Sequence, residues 1–170
     1  MSKRFTVRNE SPSDVQTVSD ITTSAFLTNP YSSHTEQLII ASLRRSSALS
    51  LSLVAEIGGQ VVGHIAFSQV TISDGSTEWY GLGPISVAPA LQRRGIGQAM
   101  VREGLAILRD RGAKGCVVFG PPKYYQRFGF AATRGLTFVE PPPEHFMALY
   151  FGASRPIGEV TYHGAFNVRG

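Results

Sequence analysis

The sequence predicts an α/β (α+β) protein built on one mixed, mostly antiparallel sheet. Residues 49–57, 61–72 and 77–87 are rich in apolar and β-branched residues and are separated by tight-turn signals, which is typical of an antiparallel meander. Residues 77–119 then read as strand, helix and strand, an order that places two parallel strands side by side. Two amphipathic helical patterns precede the meander. We therefore expect a single sheet flanked by about four helices.

The N-terminal third contains a strand and two helices. Residues 5–8 alternate between apolar and polar positions, as a half-buried strand does. Ser11 stands where an N-cap residue belongs, and apolar residues then recur at steps of three or four as far as Ala25. Ser33 and Glu36 have the spacing of a capping box. This spacing predicts that the second helix begins after Ser33.

The middle of the chain is organised by glycine turns. Gly59 and Gly75 lie in the two turns that separate the three meander strands. An amphipathic helix follows over residues 95–111, and Gly112 occupies the C-cap position. Residues 116–119 are wholly apolar, as expected for a strand that is buried on both faces. The helix between two strands predicts a parallel pair that can splay apart.

The C-terminal part is predicted to hold a short helix at residues 123–128 and two last strands at 146–151 and 159–166. The last two strands could pair with those of a second copy, which makes a homodimer plausible.

The chain has 170 residues, 42% hydrophobic and 16% charged, which is ordinary for one globular domain over residues 1–170. It lacks an apolar run of membrane-spanning length and an apolar signal core, so we expect no membrane partner. A single cysteine, Cys116, cannot form an internal disulfide, and a cytoplasmic location is the simplest expectation. The net charge of +4 fits a protein that binds a polyanionic cofactor, and we expect no nucleic acid as the main partner.

One stretch carries a chemical signal. The strand ends near Val87, and a glycine-rich loop then leads into the start of a helix. The first N–H groups of a helix have no intrahelical partner, and this end carries a partial positive charge. Gly95 and Gly97 would let an anion approach the main chain, while Arg93 and Arg94 add fixed charge. The combination suits a phosphate or pyrophosphate.

Two motifs follow the strand at residues 77–87: Gln-Arg-Arg-Gly-Ile-Gly at residues 92–97 and Tyr-Tyr-Gln-Arg-Phe-Gly-Phe at residues 124–130. The first resembles the acyl-CoA pyrophosphate loop of the GNAT superfamily of N-acetyltransferases, Gln/Arg-x-x-Gly-x-Gly/Ala. The second resembles the family's aromatic-Tyr-x-x-x-Gly-Phe element. The resemblance is clear over residues 57–130. The dinucleotide fingerprint is not matched, because Met100 stands at its third glycine position.

The resemblance implies the GNAT fold and acetyl-CoA as co-substrate, with no metal. It places the pantetheine arm along the main chain of the strand that precedes the loop, where one N–H group would meet the acetyl carbonyl. The phosphates would lie on the loop. The implied cofactor-binding residues are Ile85, Ser86, Val87, Gln92, Arg93, Arg94, Gly95, Ile96, Gly97 and Gln98.

Tyr125 aligns with the family tyrosine that can protonate the departing thiolate. An ordinary phenol has a pKa near 10 and is protonated at neutral pH. The alternative for Tyr125 is a core aromatic with its hydroxyl at the rim, and we interpret Tyr124 as packing. Val118 stands where the family often carries an asparagine, so the cofactor's middle amide would be held by main chain instead.

A general base is not identified by the sequence. The ionisable candidates near the expected cleft are His64, Glu78, Glu144 and His145, and ordered water is the alternative. Cys116 lies in the apolar strand without an evident basic neighbour, which indicates a structural role.

The resemblance predicts an N-acetyltransferase that moves an acetyl group from acetyl-CoA to a primary amine of a small molecule or peptide by direct attack. The alternative is a non-catalytic acyl-CoA-binding sensor or scaffold with the same fold. The residues that face the acceptor are expected in the first pair of helices, around residues 26–34, and in the loop after residue 138.

Overall fold

The computed structural model describes residues 4–30 and 32–168 and is built around a six-stranded sheet. The strands are β1 (Thr6–Asn9), β2 (Leu51–Ile57), β3 (Gln60–Gln69), β4 (Thr71–Ile72), β5 (Trp79–Val87), β6 (Gly115–Phe119), β7 (Leu136–Thr137), β8 (Phe146–Tyr150) and β9 (Gly158–Thr161). The α-helices are α1 (Val15–Phe26), α2 (Glu36–Arg45), α3 (Ile96–Asp110) and α4 (Pro122–Tyr125). Short 3-10 turns lie at Pro12–Asp14, Pro89–Leu91, Gln126–Phe128, Pro143–His145 and Gly164–Asn167.

The main sheet has the order β1-β2-β3-β5-β6-β8, and its neighbours are antiparallel except for β5 and β6. Those two strands are parallel and are joined by α3, as the strand-helix-strand pattern predicts. Their pairing covers only Trp79–Gly81 against Gly115–Val117, although β5 continues to Val87. The strands therefore splay beyond this register, and the predicted fold class is confirmed.

A second sheet of three short strands, β4-β9-β7, was not predicted. The strand expected over residues 61–72 ends at Gln69, and its last part joins this small sheet as β4. The strand expected over residues 159–166 ends at Thr161 and gives way to a 3-10 turn. Because β9 lies between β4 and β7, both of its edges are paired within the chain. β9 therefore does not offer a second copy the free strand edge on which the homodimer expectation depended.

The first helical segment is capped at Ser11 as predicted, whereas α2 does not begin where the sequence predicted. The Ser11 N–H donates to Oδ2 of Asp14 at 2.7 Å, and the Asp14 N–H donates back to the Ser11 carbonyl at 2.9 Å. Ser33 does not cap α2, because its hydroxyl pairs with the Thr35 hydroxyl and Thr35 directly precedes Glu36. The capping-box expectation for Ser33 is therefore wrong by two residues.

The face of the sheet under α3 is an apolar core. Phe67 of β3 is fully buried there beside residues of α3, β6 and β8. Gly104 of α3 faces Phe67 so closely that an added Cβ would lie 2.3 Å from Cε2 of that ring. A glycine is therefore needed for the close approach of α3 to the sheet. Helix α3 lies directly behind the splayed end of β5 and fixes where the loop before it stands.

The opposite face carries α1 and α2 and is more polar. The buried polar residues of the described ranges lie in or next to these helices or on strand positions that alternate with the α3 face: Asp14, Thr22, Thr35, His64, Ser68 and Ser86. Across residues 4–30 and 32–168, each helix is too short or too polar to cross a bilayer.

Candidate active site

An open cavity of about 350 Å³ lies beside the splayed end of β5. Its wall combines the end of α1, the last residues of β5, the following loop, the first turn of α3, and α4. The lining residues are Ala25, Phe26, Asn29, Ile85, Ser86, Val87, Gln92, Arg93, Gly95, Gly97, Gln98 and Tyr124. The cavity therefore joins a strand edge to a helix N-terminus.

The loop before α3 is shaped by two left-handed residues. Gly95 has φ of 85° and forms the N-cap of α3, and Arg93 has φ of 66°, which is uncommon for a residue with a Cβ. The Gln92 side chain donates to the Val87 carbonyl at 3.1 Å and ties the loop to the strand end. The Ala99 N–H makes the first helical bond, to the Gly95 carbonyl, so the preceding N–H groups face outward from the helix end. This geometry supplies donors to an anion.

Eight of the ten residues that the sequence implied for cofactor binding line this cavity. The other two, Arg94 and Ile96, do not. Ile96 is 2% exposed and packs in the apolar core, so its side chain is closed to a ligand. Arg94 is exposed on the loop.

Ser86 links the cavity wall to α1. The Thr22 hydroxyl donates to the Val18 carbonyl at 2.7 Å, so its single proton is already used. The Ser86 hydroxyl, 3.2 Å from Thr22 Oγ1, must then be the donor in that pair. These two hydrogen bonds fix α1 against β5, and the Ser86 oxygen can still accept a hydrogen bond.

Tyr125 lies at the end of α4, beside the cavity but not among its lining residues. Its ring packs on Gly120, where an added Cβ would lie 2.6 Å from Cε2 of the tyrosine. Tyr124 and Phe130 both meet the ring edge to face, with centroids 4.9 and 6.0 Å away. Burial, with smaller contributions from Tyr124 and Cys116, raises the pKa of Tyr125 well above its ordinary value. The phenol therefore keeps its proton and can act as a donor.

Tyr124, which the sequence suggested was packing only, lines the cavity. A Cβ added to Gly97 would lie 2.9 Å from the Tyr124 hydroxyl oxygen. Only the fold could reveal this contact, because it brings α4 against the first turn of α3. Ala25 and Phe26 at the end of α1, and Asn29 just after it, line the cavity, and the last two lie within the acceptor region that the sequence suggested.

The four candidates for a general base differ in their burial and in their distance along the sheet from the loop. His64 of β3 is fully buried, and burial, helped by Arg44, lowers its pKa to about 3. Glu78 lies at the opposite end of β5 from the loop and is exposed. His145 lies near the Tyr125 end of the sheet, where its backbone carbonyl accepts from the Gly120 N–H at 3.0 Å. The exposed Glu144 precedes it.

Cys116 is fully buried in β6, and burial raises the pKa of its thiol. A buried thiol without its thiolate form is a poor nucleophile. Within the two described ranges, His, Cys, Asp and Glu side chains form no group that could hold a metal ion.

Comparison with known proteins adds sequence relatives. Residues 15–130 match the model of the Acetyltransferase (GNAT) family. The chain is 33% identical over 150 residues to a protein from Escherichia coli K12 described as an uncharacterized N-acetyltransferase, YhbS, covering 84% of this chain and 90% of that protein. A second Escherichia coli K12 protein described in the same way, YjhQ, is 31% identical over 167 residues, covering 94% and 90% of the two chains.

Solved structures of GNAT family acetyltransferases are also similar to this chain. A GNAT family acetyltransferase from Brucella melitensis in complex with acetyl-CoA has a TM-score of 0.86 and 47% identity, covering 97% of this chain and 99% of that one. Escherichia coli YhbS in complex with CoA has a TM-score of 0.85 and 30% identity, covering 100% and 96%. These matches agree with the splayed sheet and the loop before α3, and the chain belongs to the GNAT family of acetyltransferases.

Proposed function

We propose that this protein is an N-acetyltransferase that moves the acetyl group of acetyl-CoA directly to a primary amine of a small molecule or peptide. The observation that carries the proposal is the cavity, which joins an unpaired strand edge, a helix N-terminus and the end of α1. Relatives that contain bound acetyl-CoA or CoA support this choice of co-substrate.

The cofactor would lie with its phosphates at the start of α3. The N–H groups of the first helical turn and the loop donate to the phosphate oxygens, and Arg93 adds positive charge. The pantetheine amides would pair with the free edge of β5 near Ile85 and Val87. This arrangement brings the thioester toward the opening between β5 and β6, on the side where Tyr125 lies.

Acetyl transfer would proceed by direct attack. The lone pair of the neutral amine forms a bond to the thioester carbonyl carbon, and the carbonyl oxygen becomes an oxyanion that accepts from a β5 N–H group. Collapse of this intermediate breaks the C–S bond, and the departing sulfur takes the proton of the Tyr125 hydroxyl. The ammonium proton leaves to water, and the tyrosine is reprotonated by solvent. The acceptor would enter past Phe26 and Asn29, which line the cavity from the α1 side.

A screen of amines tests the proposal. Polyamines, amino acids, aminoglycosides and peptide N-termini are each incubated with acetyl-CoA, and released thiol is measured. Acetyl-CoA at about 100 times its Kd should stabilise the fold by roughly 2.7 kcal/mol, and at least one amine class should release thiol. Binding without release for every amine would favour the sensor or scaffold alternative. The absence of binding would contradict both.

A further inference from the structure

The Tyr124 hydroxyl stands where three elements of the cavity meet. The position of a Cβ on Gly97 lies 2.9 Å from the Tyr124 oxygen, 3.8 Å from Cγ2 of Val87 and 3.9 Å from Cδ1 of Ile85. Gly97 belongs to the first turn of α3, and the two aliphatic residues belong to the end of β5. The hydroxyl therefore lies at the joint between the strand edge and the helix N-terminus.

The ring behind this hydroxyl is held by its neighbours. Tyr125 meets it edge to face at 4.9 Å, and Phe128 does so at 5.5 Å. The guanidinium of Arg127 lies 4.9 Å from the ring centroid. In contrast, the hydroxyl itself forms no hydrogen bond within residues 4–30 and 32–168, and it faces the cavity. A positioned ring with an unused donor is suited to a ligand.

The groups around this joint favour a ligand atom that accepts hydrogen bonds and carries negative charge. The main chain at the start of α3 offers only N–H donors there, and its end carries partial positive charge. Burial raises the pKa of Tyr124, with a smaller opposing contribution from Arg127, so the phenol remains a donor. A phosphate oxygen accepts strongly from both kinds of group.

We propose that Tyr124 is a cofactor-binding residue whose hydroxyl donates to the CoA phosphate nearest the pantetheine arm. This inference rests on the proposed function. It assigns separate roles to adjacent tyrosines: Tyr124 binds the cofactor, and Tyr125 protonates the thiolate.

The test is the matched pair Tyr124→Phe and Tyr125→Phe, with Kd for CoA measured by calorimetry. Loss of a hydrogen bond to a charged group predicts that Tyr124→Phe raises the Kd about 10- to 150-fold. Its kcat at saturating acetyl-CoA should stay within about 2-fold, and the Tm of the unliganded variant should match wild type. Tyr125→Phe should change the Kd by no more than a few-fold.

Pantetheine, which lacks the pyrophosphate and the rest of the nucleotide, identifies the contacted group. Its affinity, measured by displacement, should be the same for wild type and Tyr124→Phe. An equal loss for pantetheine and CoA would overturn the phosphate assignment. Unchanged CoA affinity in Tyr124→Phe would overturn the inference while leaving the proposed function intact, whereas wild type that binds no CoA would overturn both.

A double-mutant cycle with Gly97→Ala gives a second measurement. The new Cβ would displace the Tyr124 hydroxyl, so Gly97→Ala should weaken CoA binding in the tyrosine background. Adding Tyr124→Phe to Gly97→Ala should then cause no further loss. Fully additive losses in the double variant would contradict the contact between these two residues.

Discussion

The two faces of the main sheet are packed in different ways, one by apolar contacts and the other by buried polar groups. The α3 face is closed by apolar packing, with Phe67 pressed against Gly104. The α1–α2 face buries polar groups, several of which are hydrogen-bonded to one another, and such bonds offset the cost of burying them. The contrast indicates that α3 fixes the cofactor loop by shape, while α1 is fixed against the cavity wall by hydrogen bonds such as Thr22 to Ser86.

The polar face also sets the protonation of His64. Glu10 accepts from Arg44 and, at 2.8 Å, from the Ser52 hydroxyl. Because Ser52 has used its proton, it must accept from Nε2–H of His64 at 2.7 Å. Nδ1 of His64 has no partner within residues 4–30 and 32–168. The ring is therefore held as the neutral Nε2–H tautomer on β3, in register with Ser86 of the strand that leads to the cavity.

The largest expected effect is on the apolar face. Phe67→Ala removes a fully buried ring and leaves a cavity under α3, which should cost about 3–5 kcal/mol of unfolding free energy. Leu27→Ala, at a side chain that is 66% exposed, is the control and should change stability by less than about 0.5 kcal/mol. Urea denaturation measures both. A loss below about 1 kcal/mol for Phe67→Ala would show that α3 packing does not hold this face.

Tyr125→Phe tests the phenol of the α3-side core to which we assign proton transfer. Its kcat should fall by about 10²–10³, because a proton donor is lost in the transition state. Since burial raises the pKa of Tyr125, wild type should show no alkaline fall in activity up to pH 10. Thiol release from pH 6 to 10 measures both. Nearly full kcat in the variant would leave solvent as the proton source.

His64→Gln tests the polar face through pH. The unfolded state binds a proton near pH 6.5, but the folded state binds it only near pH 3, so stability must fall as pH drops below 6.5. The slope approaches about 1.4 kcal/mol per pH unit below pH 6.5, which gives a loss of roughly 2.3 kcal/mol between pH 6.5 and 4.5. The glutamine variant keeps a donor for Ser52 and should lack most of this slope. Equal slopes in urea denaturation would show that His64 is not the group responsible.

The features that could be predicted from the sequence are those determined by residues close together along the chain. The loop at residues 92–97 and the start of α3 follow from two closely spaced glycines and a helix N-terminus, and both lie where expected. Tyr124 could not be assigned to the cavity, because its environment depends on how α4 lies against Gly97. Likewise, the small sheet pairs two-residue β4 with β9 across a separation of 90 residues, and strands this short carry no periodic signal.

The central claim is direct transfer from acetyl-CoA to the amine, and two-substrate kinetics test it most directly. Initial rates of thiol release are measured over a matrix of acetyl-CoA and amine concentrations with the best amine from the screen. Direct attack requires both substrates to be bound together, so the double-reciprocal lines should intersect. Parallel lines, with a burst of thiol before any amine is added, would indicate an acetyl-enzyme intermediate and contradict the account.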